Sequence, residues 1–477
     1  MDDGNMDDRQ VFERLQEMLA SHYQGRGQGS FLDYHRPQEL RSLLRLDRDG
    51  KGSWEELFAW VRRYLDYSLK TDHPAFVNRM WVGANLPSIV GEMVTALTTA
   101  SACTYESAPV STLMERYMID EMLSLVGFRG GEGQMTTGSS NANMIAMMVA
   151  RNRADGAVKE EGLFARPPLC AFVSAESHYS MDRAANILGL GSRQLCKVPV
   201  DASGAMDASA LERLLEETVA RGARPFFVAA TAGTTVRGAY DQLAPLLPLR
   251  QRFAFWLHVD GAWGGSVVLC DELRRRYLPD LEQADSFSWD FHKMLGTALM
   301  CNVLLVNRGA GVLAGALGAG DGSYLFRDED LEGREDLGPA SLQCGRRVDS
   351  LKWFLDWKFF GREGLAQRVE RSLALCTYAA EVVRGNPWLE LTAPRVSFNV
   401  CFRFVAAAVD LNRVNLLLRT ELYREGRTLV GLAYLDGQVT MRLLILNQQL
   451  SERDIDGFFA AIVAKGREIL SRPLTTS

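Results

Sequence analysis

Ala254-Phe255-Trp256-Leu257-His258-Val259-Asp260-Gly261-Ala262-Trp263-Gly264-Gly265 is an apolar run closed by a carboxylate and then by small residues. A strand with one wet face alternates apolar and polar side chains, whereas a strand covered on both faces reads as a near-continuous apolar run. Ala254–Val259 is of the second kind, and so are Leu169–Val173, Pro225–Ala230, Ser286–Trp289 and Asn302–Val306. Between them, residues with helical spacing predict helices over Asn141–Arg151, Ala208–Ala220 (with Asp207 as N-cap) and Leu243–Arg252. Buried strands alternating with helices give an α/β fold with a mostly parallel central sheet covered on both faces. In such sheets ligands bind at the carboxyl ends of the strands, which is where Asp260 stands.

Outside this core the pattern changes. Residues 1–70 read as a helical N-terminal segment, 71–345 as the large domain and 346–477 as a small α+β C-terminal domain. Asp47-Arg48-Asp49-Gly50-Lys51-Gly52 superficially suggests a calcium loop. Lys51 and Phe58, however, fall where oxygen ligands are required, so a charged turn with Ser53 capping the next helix is the better reading. The stretch 309–323 is rich in glycine, with acidic residues at 328–336, and reads as a mobile lid or a surface linker. The C-terminal part predicts a long helix from Val348 to Arg384. It continues with Leu389–Leu391, Ser397–Phe404, helix Leu411–Glu425, Thr428–Ala433, Gln438–Leu446 and helix Glu452–Leu470. Asp436-Gly437 marks a two-residue hairpin.

Composition narrows the function classes. The chain has 477 residues, 47% hydrophobic and 23% charged, with a formal charge of −6. That balance provides no basic footprint for nucleic acid. No window approaches the ~18 apolar residues of a membrane span. Eight cysteines are scattered without a Cys-x-x-Cys, and none of the six histidines sits at a metal-ligand spacing from them, so no metal is expected. Reduced cysteines and an acidic, polar N-terminus without an apolar run point to a cytoplasmic enzyme.

Four elements carry chemistry. Lys293, in Ser286-Phe287-Ser288-Trp289-Asp290-Phe291-His292-Lys293, follows a buried strand as Asp260 does. Pyridoxal 5′-phosphate (PLP) chemistry needs a lysine amine for the imine and an anion that keeps the pyridine nitrogen protonated. Alone, an aspartate after a strand is commonly a turn residue and a His-Lys pair a surface feature. Thr136-Thr137-Gly138-Ser139-Ser140-Asn141 opens an apolar helix and could cradle a phosphate or simply cap the helix. Thr231, at the end of a buried strand, could reach a ring substituent. His178, past the strand at 169–173, could stack on a flat ring or be structural.

The segments TTGSSNANMIAMMVAR (136–151), SAESHYSMDRAANILGLG (174–191), ATAGTTVRGAYD (230–241), LHVDGAWGG (257–265), DSFSWDFHKMLG (285–296) and QCGRRVDSLKWFLDWKFFGREGL (343–365) resemble, in order, the group II PLP-dependent amino-acid decarboxylases. The resemblance spans about residues 70–470. It implies PLP fold type I, the aspartate-aminotransferase-like architecture, and a homodimer with active sites near the subunit interface. It implies that Lys293 carries the cofactor, Asp260 pairs with the pyridine nitrogen, Ala262 packs under the ring and His178 stacks above it. Ser139 and Ser140 would hold the phosphate with help from the His292 region, and Thr231 would lie beside the ring. Val439-Thr440-Met441-Arg442-Leu443 resembles the family strand whose arginine binds the substrate α-carboxylate, here Arg442. Tyr324, after the glycine-rich stretch, resembles the tyrosine of the catalytic loop and is the candidate proton donor. One departure is Asp290-Phe291 where many members have Asn-Pro: an ionised Asp290 cannot donate to a phosphate and must point away or meet a cation.

The same resemblance implies decarboxylation of an L-amino acid to its amine. His73-Pro74-Ala75-Phe76-Val77-Asn78-Arg79-Met80-Trp81 and Thr104-Tyr105-Glu106-Ser107-Ala108-Pro109 resemble the acidic-substrate branch. Arg79 replaces the usual glutamine beside Asn78, and reads either as a side-chain-carboxylate partner or as the mate of an internal glutamate. Trp81 reads as a wall that shortens the pocket, favouring aspartate or cysteine sulfinate over glutamate. Alternatives are an aromatic or diamino substrate, a PLP-dependent aldehyde synthase or aminotransferase, and a catalytically silent PLP-binding scaffold.

Overall fold

The structure is a computed structural model that describes residues 6–46, 52–318, 322–326 and 335–472. Asp47 to Lys51, where the charged turn was expected, lie outside the described residues, as do 319–321 and 327–334 of the expected lid. Ser53 does cap the helix Trp54–Tyr67: its side chain accepts from the Glu56 N–H, and Glu56 reaches back to the Ser53 N–H. The chain forms two compact units, one of residues 1–83, 378–392 and 400–477, the other of 84–377 and 393–399.

The larger unit holds seven strands: β1 (Glu132–Thr136), β2 (Leu169–Ser174), β3 (Leu195–Val198), β4 (Arg224–Thr231), β5 (Trp256–Asp260), β6 (Ser286–Asp290) and β7 (Asn302–Val306). Their order across the sheet is β1-β7-β6-β5-β4-β2-β3. The ladders β6–β5, β5–β4, β4–β2 and β2–β3 are parallel, while β7 runs antiparallel to both β6 and β1. Expected strands 2, 4, 5, 6 and 7 are present to within two residues at each end. β1 and β3 were not expected, because Glu132-Gly133-Gln134 and Lys197 break the apolar pattern at the sheet edges. The helix Ser139–Ala154 lays Ala142, Ile145, Ala146 and Val149 into a core shared with Ala171, Val173, Phe227 and Leu304. Burying each large aliphatic side chain there stabilises the unit by about 1.5–3 kcal/mol.

The register places chemistry at one edge. Thr231 is opposite Asp260 in the β4–β5 ladder, and Asp290 is the last residue of β6, opposite Asn302. Because β7 is reversed, its first residue, Asn302, comes to the same edge as the last residues of its neighbours, and Thr136 ends β1 opposite it.

The smaller unit contains a five-stranded sheet ordered Phe76–Val77, Leu429–Leu435, Gln438–Leu444, Asn399–Phe404 and Leu389–Leu391. The Asp436-Gly437 turn has positive φ at both residues (50° and 77°) with Leu435 opposite Gln438, as a two-residue hairpin requires. The helices Leu411–Arg424 and Glu452–Leu470 follow the expected ranges. The long helix is corrected: Ser350–Arg384 is two helices meeting at Gly361, whose φ of 65° and ψ of 174° interrupt the helical path. The helix expected from Leu243 starts at Leu246, after Pro245, which supplies no N–H.

Candidate active site

Asp290 is buried, and every contact it makes explains why the charge is tolerated. Lys293 Nζ lies 2.8 Å from its Oδ2 and His292 Nε2 lies 3.8 Å away. Ser139 Oγ donates to Oδ1 at 2.9 Å and Asn302 Nδ2 at 2.5 Å. Burial alone would raise this carboxyl, but Lys293, His292 and the Ser139 hydroxyl outweigh it and hold it below its ordinary value. Asp290 therefore meets a cation, the condition its sequence context demanded. The Ser139 hydroxyl is committed to this carboxylate, while Ser140, next on the same helical turn, is exposed. Gly138 precedes them with φ of 106°, a conformation that residues with a side chain rarely adopt, so glycine lets the chain turn tightly into the helix.

Asp260 is held differently. Its Oδ2 accepts from Asn143 Nδ2 at 2.8 Å, and its Oδ1 from the Ala262 N–H at 3.1 Å and Ser288 Oγ at 3.4 Å. Asn143 is completely buried, with His258 Nε2 at 2.9 Å and Ser288 Oγ at 2.9 Å from its Oδ1. His258 contacts Ser286 Oγ at 2.8 Å through Nδ1, and burial pushes its pKa down to about 4. These second-row partners escaped the sequence reading. Their signals were present: a polar Asn143 on an apolar helix face and a histidine inside a buried strand.

His178 is half-buried, and burial lowers its pKa, with Asp260 pulling it up and Lys293 pulling it down; the three groups therefore share one electrostatic neighbourhood. Its Nδ1 accepts from the Ser180 N–H at 3.3 Å, which fixes the ring. Thr231 is pinned by its own N–H, which donates to Asp241 Oδ2 at 2.7 Å; Met206 N donates to Oδ1 at 2.6 Å. Burial pushes Asp241 up to about 7. His292 is buried with Nδ1 2.7 Å from the Cys301 carbonyl. Tyr324, by contrast, is 75% exposed, and no described contact joins it to Lys293.

In the smaller unit, Arg442 Nη2 donates to the Asn78 carbonyl at 3.1 Å. Burial lowers the pKa of Arg442 and of Arg419, and the positive charge of Arg79 lowers both further. Trp81 packs into the cluster of Phe31, Phe76 and Leu429, its ring 5.6 Å from that of Phe76.

The larger unit thus presents a primary amine, an acceptor-only carboxylate, an imidazole and a helix start at one sheet edge. Such a set suits an aldehyde on a flat, nitrogen-containing ring that carries a phosphate. Comparison with known proteins agrees. Residues 37–405 match the pyridoxal-dependent decarboxylase conserved domain. The chain is similar to cysteine sulfinic acid decarboxylase of Mus musculus, 35% identical over 92% of this chain and 91% of that protein. It is 34% identical to acidic amino acid decarboxylase GADL1 of Homo sapiens, over 92% of this chain and 86% of that one. The crystal structure of mouse CSAD superposes with a TM-score of 0.92 at 34% identity, over 97% of this chain and 99% of that one. The amine, carboxylate and helix start gathered at this edge fit such a cofactor, and the chain belongs to the pyridoxal-dependent decarboxylase family as an amino-acid decarboxylase that uses PLP.

Proposed function

We propose that the substrate is an acidic L-amino acid, with aspartate or cysteine sulfinate preferred to glutamate. The observation that carries this reading is the position of Arg79 near both Arg442 and Arg419, whose pKa values are lowered first by burial and further by the Arg79 charge. Like charges so placed repel unless an anion joins them, and a substrate with two acidic groups would supply two negative charges. The names of the relatives, cysteine sulfinic acid decarboxylase and acidic amino acid decarboxylase GADL1, point the same way.

In this reading PLP, when bound, supplies the electron sink for loss of carbon dioxide. Lys293 provides the amine that holds the cofactor, with Asp290 as its counter-ion. Asp260, acceptor-only, holds a proton at the ring nitrogen. His178 and Ala262 flank the ring, Thr231 and His292 line its surroundings, and Ser139 and Ser140 begin the helix facing the phosphate. Arg442 binds and orients the α-carboxylate, while Arg79, with Asn78 and Trp81 beside it, reads the distal acidic group. Tyr324 delivers a proton to the substrate carbon.

A second part of the proposal concerns assembly and place. The helix Leu86–Thr98 exposes Leu86, Val90, Met93, Val94 and Leu97, a stripe at helical spacing that a homodimer would cover. All eight cysteines are free thiols, and no described helix is long and apolar enough to cross a membrane, which supports a cytoplasmic setting. Light scattering should report a dimer, and Val90→Glu with Leu97→Glu should give monomers.

Carbon-dioxide release measured over the twenty amino acids plus cysteine sulfinate tests the substrate. Aspartate or cysteine sulfinate should give the highest kcat/KM; an aromatic or diamino acid ahead of both would refute the proposal. Arg79→Gln should raise KM for the acidic substrate about tenfold with kcat little changed, the signature of lost ground-state binding.

A further inference from the structure

Behind Asp260 runs a continuous line of buried hydrogen bonds through Asn143, His258 and Ser286 to Trp256. The Trp256 indole can only donate, and its Nε1 lies 2.7 Å from Ser286 Oγ. The Ser286 hydroxyl that accepts from this donor can still donate its own proton to His258 Nδ1, 2.8 Å away. An imidazole that accepts at Nδ1 carries its proton on Nε2, which lies 2.9 Å from Asn143 Oδ1. An Asn143 whose oxygen accepts there must turn its amide nitrogen the other way, and Nδ2 is 2.8 Å from Asp260 Oδ2 and 3.2 Å from Ser180 Oγ. The Asn143 oxygen also faces Ser288 Oγ at 2.9 Å, so both ends of its amide are engaged. His258 has no exposed surface and stacks on Phe227 at 5.8 Å between ring centres, so it cannot turn to another partner.

We propose that His258 is a positioning residue that, as its Nε2–H tautomer, orients the Asn143 amide so that Asp260 always faces a donor and is kept as the acceptor for the cofactor's ring nitrogen. The inference rests on the reading of Asp260 given above. Without the histidine proton, the Asn143 oxygen keeps only the Ser288 hydroxyl, whose one proton is shared with Asp260 Oδ1 at 3.4 Å, and the amide is freer to rotate and present its oxygen to Asp260. Two acceptors facing each other would favour protonation of Asp260, and a protonated Asp260 cannot hold a proton at the ring nitrogen. The low pKa of His258, about 4, agrees with a neutral ring.

The test compares His258→Gln, which keeps one donor and one acceptor at similar reach, with His258→Leu, which keeps neither. Each is purified as the PLP-loaded enzyme and examined for the cofactor's visible absorption spectrum, its rate of cofactor loss on dialysis, kcat, KM and thermal unfolding. His258→Leu should shift the visible spectrum and lower kcat about 10- to 100-fold with KM within threefold, and His258→Gln should recover most of both. Should His258→Leu not fold, Ser286→Ala decides: it frees the histidine tautomer and should lower kcat about three- to tenfold with a smaller spectral change. Wild-type spectrum and kcat in the variant that decides would overturn the proposal, and so would equal losses in His258→Leu and His258→Gln. Asp260→Asn is measured alongside. If it leaves the spectrum and kcat intact, the reading of Asp260 fails; if it abolishes them while the His258 and Ser286 variants do not, only the relay fails.

Discussion

Asp260 and Asp290 end neighbouring parallel strands of one sheet, both are buried, and they are stabilised in different ways. Asp290 faces a cation, Lys293 at 2.8 Å, with the His292 imidazole at 3.8 Å. The donors to Asp260 are neutral: an amide, a main-chain N–H and a hydroxyl. A buried carboxylate paired with a cation has its field largely cancelled, whereas one held by neutral dipoles keeps a net charge to spend on a ligand. In the proposed function this difference separates a carboxylate that steadies the lysine, Asp290, from one that pairs with a cofactor atom, Asp260.

Substitutions can break that comparison. Lys293→Ala should abolish turnover, by about 10⁴-fold or more, and remove the visible band near ~420 nm expected of bound cofactor; absorbance and carbon-dioxide release read both. Asp260→Asn should follow, with kcat down about 10²- to 10³-fold, the scale seen when one charge-stabilising group is removed. Asp290→Asn keeps an oxygen for Ser139 and Asn302 but turns an NH2 in place of the anion toward Lys293, which must shift away, so kcat should fall by no more than about tenfold. If Asp290→Asn proves more damaging than Asp260→Asn, the assignment of roles is reversed.

The pH dependence of stability sharpens the contrast with a third strand end. Asp290 has a folded pKa below its unfolded value of about 3.9, so its contribution is present above that pH and is lost as pH falls through the lower folded value. Asp241, which pins Thr231 at the end of β4, is raised to about 7. Its linkage has the opposite sign: its contribution is full below about pH 4 and declines as pH rises through about 7, at up to about 1.4 kcal/mol per pH unit. Denaturant unfolding across pH 4 to 8 should show this slope in the wild type and not in Asp241→Asn. That variant should also start less stable by about 1–3 kcal/mol, because its amide nitrogen cannot accept one of the N–H groups of Met206 and Thr231.

Much of the architecture was legible in the sequence because hydrophobic burial leaves a local trace. Uninterrupted apolar runs marked the inner strands, helical spacing marked their covers, and Asp436-Gly437 marked a hairpin whose backbone needs positive φ. The edge strands were not legible, since half-covered β1 and β3 carry charged and glycine residues. Gly361 also broke a helix whose amphipathic spacing runs straight through it.

For the site, the sequence determined which groups are available: an amine at Lys293, carboxylates at 260 and 290, and a Gly-Ser helix start. A residue type and its place after a buried strand are local properties. Tertiary structure alone decided who partners whom. Lys293 meets Asp290 because they lie on one tight turn, and Asn302 reaches the same edge because β7 is reversed. Asn143 and His258 meet across 115 residues of chain because the helix that carries Asn143 packs on the strand that carries His258. Hydrogen bonds depend on distances of a few tenths of an ångström between groups far apart in sequence, and only the folded sheet fixes those distances.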